Sequence, residues 1–163
     1  MSQTGQLIAI EYRAAIGELA DLCSQSSERD WNAMSAAEGW PVGTVIHHLA
    51  VSNRVICDWI RVLASGEDIA TSSQEVDRIN AAHQTEHAHC DRLETLRLLQ
   101  AEQEAGVRLL TSLTDEELAR EGLFKVPDQK RTTEQMARAL VGHIRSHLRN
   151  VQAVLPDPLR TSA

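Results

Sequence analysis

The sequence predicts an all-α protein, a four-helix bundle, and three observations lead there. Aromatic residues supply 3% of the 163-residue chain while hydrophobic residues as a whole supply 42%, so Leu, Ile, Val and Ala must fill the core. β-Rich domains draw more on aromatic and β-branched side chains. Apolar residues recur every three to five positions over four long stretches, the period of an amphipathic helix. Proline, glycine and capping pairs stand where those stretches begin and end. A chain of this length fits one domain, residues 1–163, with one substantial core.

The first helix is expected over about 3–23, with Leu7, Ile10, Ala14, Ile16, Leu19 and Leu22 on its inner face. Residues 30–39 read as a connector holding the large apolar Trp31. A second helix starts near Trp40-Pro41, where proline's missing N–H does no harm. It carries Val45, His48, Leu49, Ser52, Ile56, Trp59 and Leu63 and stops at Ser65-Gly66. Residues 67–75 are polar and read as a loop. A third helix begins between Glu75 and Asp91 and runs to Ser112, with Leu93, Leu96, Gln100, Val107 and Leu110 turned inward. Thr114 with Glu117 forms a capping-box pattern, which calls for a short helical turn. Residues 122–131, including Pro127, read as a connector, and no strand is expected anywhere. Thr132 with Gln135 caps a fourth helix that runs to about Leu155 and ends at Pro156 and Pro158. Four helices of roughly 20 residues, each about 30 Å long, make a bundle.

Charge and cysteines narrow the function. The formal charge is -7, and Lys130, Arg131, Arg145 and Arg149 do not form one basic face, so a nucleic-acid partner is not expected. No apolar run approaches the roughly 20 residues of a membrane span, and residues 1–6 do not resemble a secretory signal. Cys23, Cys57 and Cys90 are odd in number and widely spaced, which suits reduced thiols in the cytoplasm. They form no C-x-x-C pair. Cys57 is expected to pack in the bundle, and Cys90 to lie near the start of the third helix.

Seven histidines carry the chemical argument. On the fourth helix Met136, Leu140, His143, His147, Val151 and Val154 step by three or four, which puts His143 and His147 one turn apart in the apolar stripe. On the second helix His48 shares the inward face with Val45 and Leu49. His47 falls with Val51, Arg54, Asp58 and Arg61 on a polar face and is expected to point outward. Three inward imidazoles can be hydrogen-bonded core residues, each satisfied separately. They can equally share one divalent ion, which satisfies three nitrogens together. His83 and His87 are also four apart, but they align with Asp91 and Glu94 without an apolar stripe. They read, with His89, as a wet helix start or loop, and a peripheral role near the mouth of the site is open to His89. Ser52, Asn53 and Asn80 are within reach of such a pocket, while Asp58 and Glu94 read as solvated charges.

The segment 39–50, with Trp40 followed eight positions later by His48-Leu49, resembles the start of helix two in DinB-like proteins. Gly142-His143-Ile144-Arg145-Ser146-His147-Leu148 resembles the C-terminal H-x-x-x-H of the same family. The resemblance implies a DinB-like four-helix bundle with His48, His143 and His147 binding zinc, nickel or a similar ion. It also implies a homodimer. Some relatives are thiol-dependent transferases or isomerases, among them the metal-binding domain of mycothiol-dependent maleylpyruvate isomerase; this chain has no room for that enzyme's second domain.

Three imidazoles leave a four-coordinate zinc one open position. That position can hold water, with its pKa lowered towards about 7, or a thiol kept as thiolate. The expected function is therefore a metal-dependent thiol S-transferase or isomerase, with a low-molecular-weight thiol as cosubstrate and a small electrophile as partner. The alternative is a non-catalytic metal-binding stress-response protein.

Overall fold

A computed structural model of the chain describes residues 2–126 and 128–155. Met1, Pro127, Pro156 and Pro158 lie outside the described residues, and with them the expected proline stop after the last helix.

Four long helices form the body: α1 (Gln3–Gln25), α3 (Val42–Ser65), α5 (Arg92–Ser112) and α7 (Thr133–Gln152). Between them lie the short α2 (Glu28–Trp31), the 14-residue α4 (Ser73–Glu86) and the short α6 (Asp115–Ala119). Side-chain oxygens hold the helix starts: Ser2 on α1, Ser27 on α2, Ser72 on α4, Asp91 on α5, Thr114 on α6 and Thr132 on α7. Each accepts from a backbone N–H that has no partner inside the helix. At the other end of α3, Gly66 takes the left-handed conformation at φ 85°.

Two small antiparallel sheets correct the expectation of no strands. β1 (Met34–Ser35) pairs with β2 (Trp40–Pro41). β3 (Glu121–Phe124) pairs with β4 (Gln129–Thr132), in the stretch read as a connector. Both are hairpins too short to show a two-residue alternation in sequence.

The third predicted helix is in fact two, α4 and α5, broken at residues 87–91. Its inner face also differs from expectation. Thr95, Leu99, Glu102, Gly106 and Leu110 are buried, while Leu93 is exposed. On α1 the buried stripe is Ile8, Tyr12, Ala15, Ile16, Leu19 and Leu22, so Leu7, Ile10 and Ala14 face solvent. Both stripes satisfy a helical period, and only the neighbouring helices select between them.

The packing does not follow chain order. α1 packs against α5 and α7, and α3 packs against the same two, so α1 and α3 stand diagonally. At one end Ser2 N–H donates to Leu113 O, and at the other Cys23 Sγ to Arg92 O, so α5 runs antiparallel to α1. Arg54 on α3 meets Glu102 on α5, and Thr44 near the start of α3 donates to His87 O just before α5. α3 and α5 are therefore adjacent and parallel. A chain leaving α3 must travel back along the bundle before α5 can begin, and α4 is that return. It lies on the outside of α3 and ends beside the first turns of that helix. Fully buried Tyr12, Ile16, Leu49, Ile60, Leu99 and Leu140 fill the core between the four long helices. Cys57 is packed in this interior, as expected for a free thiol. No helix is long and apolar enough to cross a membrane among the described residues.

Candidate metal centre

α3 enters the bundle straight after the β1–β2 hairpin, and its first nine residues are all buried. Trp31 sits against Gly43, where a Cβ would stand 2.4 Å from the indole, so this contact requires glycine. The indole Nε1 donates to Cys90 O at 3.1 Å, tying the connector to the start of α5. Cys90 is half-buried and belongs to neither histidine cluster described below.

His48 points from this anchored turn towards α7. There it meets His143 and His147, with ring centroids 5.8 and 5.6 Å away, and the two α7 rings are 4.6 Å apart. Each of the three offers one nitrogen within 4.8 Å of the others. The structure thus brings together the three histidines that periodicity turned inward. The two α7 rings are only partly buried: Ile144 and Leu148 occupy the middle of the apolar stripe, and His143 and His147 flank it. That places the rings at the α3–α7 seam, where they can reach both the core and a cavity.

Burial pushes the His48 ring down to about 3, with His143, His147, His83 and His47 adding to the effect. His143 is pushed down to about 4 by burial first and His147 second. Both are neutral at pH 7, the form whose lone pair binds a metal. His143 Nδ1 is buried and has no hydrogen-bond partner among the described residues. A buried polar atom in that state costs free energy unless something satisfies it, and an ion at the centre would.

A carboxylate completes the arrangement. Glu38, between β1 and β2, places Oε1 2.8 Å from His147 Nδ1, and the same oxygen accepts from Asn150 Nδ2 at 2.6 Å. With Nδ1–H donated to the carboxylate, His147 presents Nε2 as its free lone pair. A ligating histidine is commonly oriented in this way. Glu38 was not foreseen, because a lone glutamate in a connector has no periodicity to betray it.

A cavity of ≈ 280 Å³ opens beside His48 and His143. Its lining is chiefly apolar, with Val51, Ile56 and Trp59 from α3, Ile79 from α4, and Val126 after β3. Ser52 and Asn80 supply polar groups there, as expected, whereas Asn53 is fully buried and does not line it. Asp58 pairs with Arg61 on the surface and Glu94 sits in the exposed first turn of α5, as solvated charges do.

The remaining histidines correct the reading made from sequence. His47 is buried at 8% exposure rather than outward in solvent, and His83 is buried at 7%. His87 is half-buried, and only His89 is exposed. The cause is α4. His47 does point away from the bundle axis, but the returning helix covers it and lays His83 and His87 on top.

The fold is similar to that of YfiT from Bacillus subtilis, described as a probable metal-dependent hydrolase with an unusual four-helix bundle topology. The TM-score is 0.79 at 18% sequence identity, over 94% of this chain and 87% of that one, a likeness of fold. No functionally curated protein matches the sequence. The sequence profile of the DinB superfamily matches residues 11–151, and the chain therefore belongs to the DinB superfamily.

Proposed function

We propose that the protein is a metal-dependent enzyme that activates a small nucleophile, in the first place a low-molecular-weight thiol, against an electrophile with an apolar body. The observation that carries this reading is the position of His48 and His143. Their rings belong both to the three-histidine cluster and to the wall of an open apolar cavity.

In this reading His48, His143 and His147 hold a divalent ion, zinc or nickel, through neutral nitrogens. Imidazoles suit both. Such an ion, when bound with three protein ligands, supplies a Lewis acid that keeps a thiol or water deprotonated near neutral pH. Glu38 fixes the ring orientation and tautomer of His147. Val51, Trp59 and Ile79 hold the apolar body of the electrophile and exclude water from it, while Ser52 and Asn80 meet its polar part. The same site with water as nucleophile would hydrolyse its substrate, the activity class named for the similarly folded YfiT. A protein whose ion serves only to stabilise the bundle would not require that cavity. A homodimer in the cytoplasm belongs to the same proposal. Leu7 and Ile10, 54% and 65% exposed on one face of α1, support the dimer, and sedimentation of tag-free protein tests it.

The activity test uses tag-free protein stripped by chelator and reloaded with zinc or nickel. It is offered cysteine or glutathione with an aryl halide electrophile, and separately a short-chain p-nitrophenyl ester. Metal-dependent thioether formation that is lost in His143→Ala supports the transferase. Metal-dependent ester cleavage without thioether formation moves the assignment to hydrolysis. Metal binding without turnover of either leaves a non-catalytic metal protein.

A further inference from the structure

We propose a second metal-binding centre, made by His47 of α3 with His83 and His87 of α4, that takes one nitrogen-preferring divalent ion such as zinc. It goes beyond the first centre and does not rest on it, for the two share no residue.

The geometry carries the argument. His47 Nδ1 lies 3.3 Å from His83 Nε2. Two nitrogens bound to one tetrahedral zinc at about 2.0–2.1 Å stand roughly 3.3 Å apart, so this pair already has the spacing of two ligands. Without an ion the same two nitrogens are within hydrogen-bond reach of each other, one protonated and one not. His87 closes the set, with its ring centroid 4.1 Å from His47 and 4.6 Å from His83. One nitrogen from each of the three lies within 4.8 Å of the other two.

The surroundings suit a cation. The Thr44 backbone lies beside the His83 ring. Thr44 Oγ1 donates to His87 O at 3.1 Å and pins the end of α4 over α3. The Glu94 carboxylate acts on His47 as a nearby negative charge. Among the described residues no lysine or arginine acts as a nearby charge on His47 or His83, and a hydrogen-bonded trio of neutral imidazoles would leave one nitrogen without a donor from within the trio.

The two centres sit back to back because residues 47 and 48 are consecutive on one helix and diverge by about 100°. His48 faces α7 and His47 faces α4. His83 stands between them, 5.4 Å from the His48 ring and on the wall of the apolar cavity.

The experiment counts ions. Tag-free protein is stripped with chelator, titrated with zinc, freed of unbound metal and analysed by mass spectrometry. Two zinc ions per wild-type chain are expected, one in His87→Ala, one in His143→Ala and none in the double variant. Equal counts in wild type and His87→Ala overturn the second centre. Equal counts in wild type and His143→Ala instead remove the first and leave the second standing. A measurement without substitution guards against misfolded variants. Imidazole nitrogen NMR of the wild type should show the His47, His83 and His87 resonances moving as zinc is added to two equivalents. Resonances that stay in place up to that ratio also overturn the proposal.

Discussion

Glu38 Oε1 and His147 Nδ1 are 2.8 Å apart across 109 residues of sequence, and this pair joins the β1–β2 hairpin to the candidate metal centre. The carboxylate selects the tautomer in which His147 offers Nε2, and it fixes the orientation of the ring. Removing such an oriented partner typically costs 10- to 100-fold in metal affinity. Glu38→Ala should therefore weaken zinc binding at this centre by about that factor, while Glu38→Gln, which keeps one acceptor oxygen, should lose less. Competition against a chromophoric chelator reads the difference, and an unchanged affinity in Glu38→Ala would detach the hairpin from the site.

Metal should stabilise the fold. An ion that binds only the folded chain adds about 2.7 kcal/mol at a hundredfold excess over its Kd. For a chain of this size that is roughly 5–10 °C in Tm. Scanning calorimetry with and without zinc should show an increase, and His143→Ala should lose the share due to the first centre. A wild-type Tm indifferent to zinc and nickel would remove the basis for both centres.

Acid should destabilise the metal-free protein in a defined window. His48 and His143 are held at about 3 and about 4 in the folded state, against an ordinary value near 6.5 in the unfolded chain. Between those values the unfolded chain binds protons that the folded chain refuses, so stability rises with pH there. The contribution is complete above pH 6.5 and is lost as pH falls towards 4. By pH 5 the loss is about 2 kcal/mol for each ring. Urea midpoints of chelator-treated protein should track this slope, and replacing both rings with asparagine should reduce it, leaving the share of His47 and His83, which burial also holds low. A wild-type midpoint that does not change between pH 7 and pH 5 would contradict the burial of neutral rings.

Two glycines should respond in opposite directions. A Cβ on Gly106 would stand 2.5 Å from the ring of Tyr12, which is fully buried with its hydroxyl donating to Glu102 O. Gly106→Ala should destabilise by about 1–3 kcal/mol through overpacking, despite the better helix propensity of alanine. A Cβ on Gly142 meets nothing within 4 Å, so Gly142→Ala should stabilise by about 0.5–1 kcal/mol. Denaturant midpoints at constant m-value measure both, and an equal response at the two sites would mean that α1 and α5 do not approach as closely as described.

Legibility followed period and punctuation. Helix α3 was readable at both ends because Pro41 fixes its own φ and Gly66 permits the left-handed turn that ends the helix. The α6 and α7 starts were readable from Thr114 with Glu117 and Thr132 with Gln135, whose capping bonds both form. His48, His143 and His147 stood out because each has apolar neighbours at helical spacing on its own segment. The α4–α5 break was missed because both halves are polar on most faces, and Leu93 and Leu7 were turned inward because the register of a broad stripe is not a local property.

By itself the sequence determined where α1, α3 and α7 lie and that His48, His143 and His147 stand on or beside the apolar stripes of two of them, since cap chemistry and a 3.6-residue period act within a few residues. It could not say that α3 and α5 run side by side in the same direction. That choice obliges α4 to return over α3, and the return buries His47 beneath His83 and His87. Residues 36 and 40 positions apart meet only because packing of the whole bundle decides which surface the returning helix covers.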